Sequence, residues 1–366
     1  MNNELLYQLA LTRIPGIGDV HTKTLVKICG SASAVFHTSR RRLEKIEGIG
    51  AAKASAIKKF RDFTSCEAEI SFIEKYRIKT IFINDEAYPK RLLHCYDGPA
   101  LLFYRGTADL NQSKIISIVG TRNNSSYGKQ VCEELVNGLK DSGALIVSGL
   151  AFGIDTIAHK AALKNNLETV AVVAHGLDRI YPEQNKTLAK QIAESGGILT
   201  DFCSGTNPDR QNFPKRNRIV AGICDAIVVI ESAVKGGSII TAELADSYNK
   251  DVFAIPGRTT DTKSEGCNYL IKSNKASLIT GASDLLEMMN WNTAPSKPRH
   301  IQRSLFSSLN EQEKRVASIL AGKERCSIDE LYLESGLSTT ETANTLLMLE
   351  MQGVVQAIPG KMYRLA

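Results

Sequence analysis

Six short runs of almost uninterrupted apolar residues, set apart by segments with helical spacing, dominate the middle of the chain. They are Ile115–Val119, Leu145–Ser148, Thr169–Val173, Gly197–Thr200, Ala226–Ile230 and Asp251–Ile255. Strands that are apolar along their whole length cannot turn one face to water, so they belong in a parallel sheet covered on both sides. Helical patterns over Tyr127–Asp141, Ile154–Lys164, Pro182–Ser195 and Ile239–Tyr248 supply the covering layers. Upstream, Lys79–Asn84 and Ala100–Tyr104 read as strands added to that sheet. The expected fold is α/β: a Rossmann-like, mostly parallel sheet with helices on both faces, over residues 63–290.

A chain of 366 residues has room for flanking domains. Residues 1–62 hold an approximate repeat, in which Ile14-Pro15-Gly16-Ile17-Gly18 precedes the helical stretch His21–Ile28, and Ile46-Glu47-Gly48-Ile49-Gly50 precedes Lys53–Phe60. Each unit resembles a helix-hairpin-helix, whose glycines permit a tight turn and present amide N–H groups to a phosphate. A small helical domain that touches no DNA has the same pattern, and both readings stand. Trp291–Asn310 is a polar, proline-containing linker. After it, Glu311–Leu320, Ile328–Glu334 and Ser338–Met351 read as helices and Val354–Leu365 as a hairpin around Pro359-Gly360. That order suggests a small winged helix over residues 311–366.

Charge is unevenly spread along these segments. Residues 1–62 carry 11 basic and 5 acidic side chains, the sheet region 25 and 26, and residues 311–366 carry 6 and 8. The basic end favours a polyanion, whereas the acidic end argues against a phosphate backbone as its own partner. No apolar run approaches the ~20 residues needed to span a bilayer. The N-terminus also lacks the marks of a secretory leader. The eight cysteines are scattered without a CxxC pair, which suits reduced thiols better than a zinc site or disulfides. A cytoplasmic protein with no membrane partner is expected.

In doubly wound sheets ligands bind beyond the carboxyl ends of the strands. There the sequence places Gly120-Thr121-Arg122, the turn Ser148-Gly149-Leu150-Ala151-Phe152-Gly153, and His175-Gly176-Leu177-Asp178-Arg179-Ile180-Tyr181-Pro182. Phe213-Pro214-Lys215-Arg216-Asn217-Arg218, Gly236-Gly237-Ser238 and Pro256-Gly257-Arg258 follow later strands. Glycine turns that open helices, with Arg122, Lys215, Arg216 and Arg218 beside them, describe an anion pocket. The first loop, GTRNNSSYG, is neither GxGxxG nor GxxxxGK[ST], which argues against NAD and against ATP hydrolysis. No GxSxG or HExxH is present, and no cofactor or metal is called for. His159 reads as a structural histidine or a general base, His175 as a turn-stabilising group or a ligand contact, and Asp155 as an N-cap. Glu231 could accept from a base or pair with an arginine.

In order along the chain, SIVGTR, SGLAFGID–AH–AAL, HGLDRIYP–N, FPKRNRIVAG, GGSIITA, VFAIPG and GCNYLI resemble the DprA/Smf family of bacterial DNA-processing proteins. The likeness covers roughly residues 80–280. It implies a homodimer that binds single-stranded DNA and loads RecA recombinase onto it during natural transformation, without catalysis. Carried over by motif, its DNA-binding residues would be Gly120, Thr121, Arg122, Ser148, Gly149, Gly153, Phe213, Lys215, Arg216, Asn217, Arg218, Gly236, Gly237 and Ser238. Thr200-Asp201-Phe202 stands where the family more often has Ser-Glu-Tyr, and Gly236-Gly237-Ser238 where it has Ser-Gly-Ser. Two other classes remain for comparison: a Rossmann-fold nucleotide phosphoribohydrolase, whose glycine loop GGSIITAE superficially matches, and a duplex-binding winged-helix regulator.

Overall fold

The computed structural model describes residues 3–291, 309–323, 326–358 and 362–365, which form two compact units divided between residues 292 and 293. The first unit opens with six helices: α1 Asn3–Arg13, α2 Asp19–Cys29, α3 Ala32–His37, α4 Arg40–Glu44, α5 Gly50–Lys59 and α6 Phe63–Lys75. Both predicted hairpins are present, and Gly16 and Gly48 take φ values of 79° and 78° that glycine alone adopts cheaply. The break expected at residue 62 falls between α5 and α6. However, Cys66, Ile70 and Ile73 of α6 share one core with Leu9, Leu25 and Val35, and that core continues into Phe82, Leu101 and Phe103. The helices and the sheet therefore pack as one body.

Nine strands build the sheet. β1 (Lys79–Phe82), the short helix α7 (Lys90–Leu93) and β2 (Leu101–Gly106) lead into β3 (Ile115–Val119) and α8 (Ser126–Gly138). Next come β4 (Leu145–Ser148), α9 (Ile154–Lys164), β5 (Thr169–Val172), α10 (Lys186–Ser195) and β6 (Gly196–Thr200). Then follow α11 (Asn212–Gly222), β7 (Ala226–Val229), α12 (Gly237–Ser247), β8 (Asp251–Ala254), α13 (Glu265–Lys272), β9 (Ser277–Leu278) and α14 (Ala282–Met288). The strand order is β1-β2-β6-β5-β4-β3-β7-β8-β9. β6 to β9 run parallel in that order, and β2 pairs antiparallel with both β1 and β6.

The period of two along β3 divides its side chains between two cores. Ile115 and Val119 pack with Val147, Val172 and Val229 on one face, while Ile116 and Ile118 pack with Ile146 and Val228 on the other. Six of the eight cysteines are buried, five in the cores of this unit and Cys326 in that of the second. The chain winds outward from β3 through β4 and β5 to β6, then crosses back to lay β7 on the other side of β3. The reversal makes β3 and β7 the switch point of the sheet, where the loops at their carboxyl ends diverge and leave a crevice.

The second unit holds α15 (Glu311–Ala321), β10 (Cys326–Ser327), α16 (Ile328–Ser335), α17 (Thr339–Met351), β11 (Val355–Ile358) and β12 (Met362–Leu365), with strand order β10-β12-β11. Three helices and a three-stranded sheet are a winged helix. Asn310, Ser327 and Ser338 each close a capping box with Glu313, Glu330 and Glu341, which explains the sharp helix starts. Most of the predicted linker, and the Pro359-Gly360 tip, lie outside the described residues. Among the described residues no helix is long and apolar enough to cross a membrane.

Candidate nucleic-acid interface

A cleft of ≈ 780 Å³ lies at the switch point, lined by Gly120, Thr121 and Arg122 after β3, Gly149 and Ala151 after β4, and Ser232, Ala233, Gly236, Gly237 and Ser238 after β7. Phe213, Arg216 and Asn217 from the start of α11 close one side, with Tyr181, Pro208 and Arg210 beside them. The backbone of Thr121 ties three of these loops: its N–H donates to Glu231 O at 2.7 Å and its carbonyl accepts from Ile154 N at 3.2 Å. Gly153 has to be glycine for that contact. Its φ is +76°, and a Cβ would stand 2.2 Å from Thr121 O.

The helix N-termini on the rim differ in what they can offer. α8 is closed: the Ser125 hydroxyl accepts from Gly128 N at 3.0 Å, and the buried Glu231 carboxylate accepts from Ser125 N at 2.8 Å and from its hydroxyl. Glu231 is thus an internal brace, neither a base acceptor nor the partner of an arginine. By contrast α11 and α12 begin without a side-chain cap and without an acidic residue in their first turns. The N-terminus of α12 and the dipoles of both helices favour an anion, whereas in α11 the Asn212 N–H already donates to Asp209 O at 2.9 Å and Pro214 has no N–H.

Three cations and one carboxylate line the cleft: Arg122, Arg210, Arg216 and Asp155. Arg122 is exposed, with its guanidinium 5.2 Å from the centre of the Phe213 ring. Phe213 meets Tyr181 edge-on at 6.1 Å, so an aromatic wall stands beside the arginines. Arg216 is 6% exposed, donates to Val172 O at 2.9 Å, and keeps its buried Nε without a partner. Asp155 is its neighbour across Gly149, where a Cβ would reach 2.0 Å from the guanidinium and 2.3 Å from the carboxylate. Burial pushes the Asp155 carboxyl up, against the pull of Arg216 and the Ala151 N–H. Asp155 is not an N-cap: it lies in the first turn of α9 and holds the preceding bend through Ala151 N at 3.2 Å.

Both histidines brace the rim. His159 is fully buried between Gly149 O at 2.6 Å and the Thr169 hydroxyl at 2.7 Å, and burial lowers its pKa to about 4. It is neutral at physiological pH and fixes the β4–α9 turn. His175, whose pKa burial also lowers, contacts Gly176 O at 2.9 Å and accepts from Tyr181 N at 3.2 Å, which sets the turn that carries Tyr181.

Ten of the fourteen residues expected to bind DNA line this one cleft: Gly120, Thr121, Arg122, Gly149, Phe213, Arg216, Asn217, Gly236, Gly237 and Ser238. Lys215 is exposed beside it. Ser148 is fully buried with its hydroxyl on Ile118 O at 2.6 Å, and Gly153 braces the wall from behind. Arg218 is the real correction. Its guanidinium bridges Asp19 at 2.9 Å and Asp201 at 2.7 Å and donates to Asp97 O, away from the cleft. Although burial opposes it, Asp201 and Asp19 hold its basicity above the ordinary value. Arg218 joins the helical segment to the sheet. Asp19 at the head of α2 also accepts from Ala100 N at 2.8 Å, so the first hairpin is tied to the sheet and carries a carboxylate in its first helical turn. Arg210 and Tyr181 also line the cleft and were not among the expected residues, though HGLDRIYP and PDRQNF place an aromatic and a cation beside strand ends.

A doubly wound sheet with a cationic, aromatic-walled cleft at its switch point defines a Rossmann-like protein suited to polyanions. Residues 79–290 match the family described as DNA recombination-mediator protein A, and residues 304–361 match the DprA winged helix domain. Protein Smf of Synechocystis is 31% identical over 99% of each chain, and that of Escherichia coli 34% identical over 82% of this chain and 81% of its own. The X-ray structure of DNA processing protein A from Streptococcus pneumoniae superposes with a TM-score of 0.69 at 34% identity, covering 77% of this chain and 97% of that one. The Helicobacter pylori protein, whose single-stranded DNA binding mode has been described, gives 0.54 at 31% identity over 58% of this chain and 96% of its own. The chain belongs to the DprA/Smf family of DNA-processing proteins.

Proposed function

We propose that this chain is a single-stranded DNA-binding recombination mediator, which protects incoming single strands and loads RecA recombinase onto them during natural transformation. It acts in the cytoplasm as a homodimer. The observation that carries the reading is the combination at the switch point: two uncapped helix N-termini and three arginines face a space walled by Phe213 and Tyr181. Amides and guanidiniums meet phosphates and an aromatic wall meets bases, which a single strand displays and a duplex hides. The relative from Helicobacter pylori binds single-stranded DNA, which supports the same ligand here.

Neither alternative gains a foothold in the geometry. A glycosidic-bond hydrolase needs a reactive carboxylate at the glycine loop, but Glu243 pairs with Lys275 at 2.7 Å and does not line the cleft. A duplex reader needs a basic helix, but α16 and α17 together carry five acidic residues and no basic one. We therefore assign no catalytic step to the cleft.

Gel-shift competition among single strands, duplex and mononucleotides tests the ligand, with the single strand expected to win. RecA ATPase on single strands coated with a single-strand-binding protein tests the loading: added chain should shorten the lag. Equal competition by duplex, or an unchanged lag, would count against the corresponding half of the proposal.

A further inference from the structure

Next to the switch-point cleft lies a second depression of ≈ 760 Å³, between α10, β6 and the end of β2. Tyr181 and Pro208 belong to the walls of both. Its floor is apolar, with Leu177, Ile180, Ala189 and Ala193 around Ile198. Three cations stand over that floor. Lys186 and Lys190 lie one turn apart on α10, and Arg105 comes from β2 at the register position opposite Ile198. All three are exposed, and none takes part in any ion pair among the described residues. The fourth cation, Arg179, is already spent on Asp178 at 2.7 Å and on Asn207. Glu183 and Glu194 sit at the two ends of α10.

We propose that this depression is a second single-strand subsite, into which DNA leaving the switch-point cleft passes over Tyr181. The inference rests on the reading of the first cleft as a DNA site. An apolar floor under free, flexible cations suits bases lying against the protein with phosphates outward, and such contacts are tolerant of sequence. The shared wall makes the path continuous, so a strand too short to pass Tyr181 occupies the first cleft alone. Glu183 and Glu194 repel phosphates at either end of α10 and so confine the backbone to the side where Arg105 stands. The subsite adds length to the footprint, and it needs no second copy of the chain.

The test uses the full chain, with fluorescent oligothymidylates of about 6 and about 16 nucleotides, within the range of footprints of single-strand-binding folds. Affinity is measured across a salt series. Each neutralised phosphate contributes about −0.7 to the slope of log affinity against log salt, so three cations should make the longer strand's slope steeper by about 2. The triple variant Arg105→Gln/Lys186→Gln/Lys190→Gln, altered only at exposed positions, should lose that increment. It should bind the longer strand about tenfold more weakly at physiological salt while binding the short one as before. An unchanged long-strand slope in the variant, or an equal loss for both lengths, would overturn the subsite. If the unaltered chain binds both lengths with one slope, the subsite again fails but the first cleft stands. If it binds neither, the DNA reading of the cleft itself is wrong.

Discussion

Replacing Arg218 by alanine separates two roles that look alike in the string FPKRNRIV. The side chain is 14% exposed, Asp201 is 9% exposed and Asp19 is 27% exposed. Removing the guanidinium strands a buried carboxylate and frees the joint between the helical segment and the sheet. Breaking a buried pair by deleting one partner costs about 3–5 kcal/mol. The partial exposure of Asp19 puts the expected loss at the low end, about 3 kcal/mol. For a unit of this size each kcal/mol is worth about 2 °C, so the melting temperature should fall by about 6 °C. Arg122→Ala, at an exposed cleft position, should leave melting unchanged and weaken single-strand binding by ten- to a hundredfold, the loss of a charge-assisted hydrogen bond at about 1.5–3 kcal/mol. Thermal melts and oligonucleotide anisotropy on both variants decide the matter. If Arg218→Ala melts like the unaltered chain but binds like Arg122→Ala, Arg218 belongs to the binding surface and the bridge to Asp19 and Asp201 is misassigned.

Gly153→Ala should damage stability and binding together, since the Cβ meets Thr121 O at 2.2 Å and φ is +76°. Such strain costs about 1–3 kcal/mol, and denaturant melts with anisotropy would register both losses. The depressed pKa of His159, about 4, predicts a pH dependence. Its contribution is fully present above about pH 6.5 and is lost as pH falls toward about 4, because the unfolded chain takes up the proton first. The swing amounts to about 3 kcal/mol. His159→Gln should flatten the slope of stability between those pH values; an unaltered slope would mean another group causes it. For the short oligonucleotide the salt slope should be about −2, from the three arginines of the cleft at about −0.7 each, and a slope near zero would remove the electrostatic basis of binding.

The sheet was legible because its strands are buried on both faces and so leave unbroken apolar runs, as in IISIV and AIVV. β9, two residues long at the edge, carries no such signal. The cleft was legible because loop glycines follow the strand ends. The fate of each cation was harder to read. Once residues 212–222 form a helix, Arg216 and Arg218 stand about 200° apart on its surface and cannot share one cleft. That periodicity was available in the sequence. What it could not supply was Asp19, almost two hundred residues upstream, which decides where Arg218 turns. The closed end of α8 was hidden in the same way, since the brace on Ser125 comes from Glu231 on a distant strand end. Long-range polar partners, more than local pattern, separated binding residues from structural ones.

The central claim is that a single strand lies in the switch-point cleft against Phe213 and Tyr181. Photo-crosslinking a 5-iodouracil-substituted oligonucleotide to the full chain, with the adducts mapped by mass spectrometry, tests it most directly. The account predicts adducts on Phe213 or Tyr181 that disappear in an Arg122→Ala/Arg216→Ala variant. Adducts confined to the basic stretch Arg40–Arg61, or to α17, would contradict it.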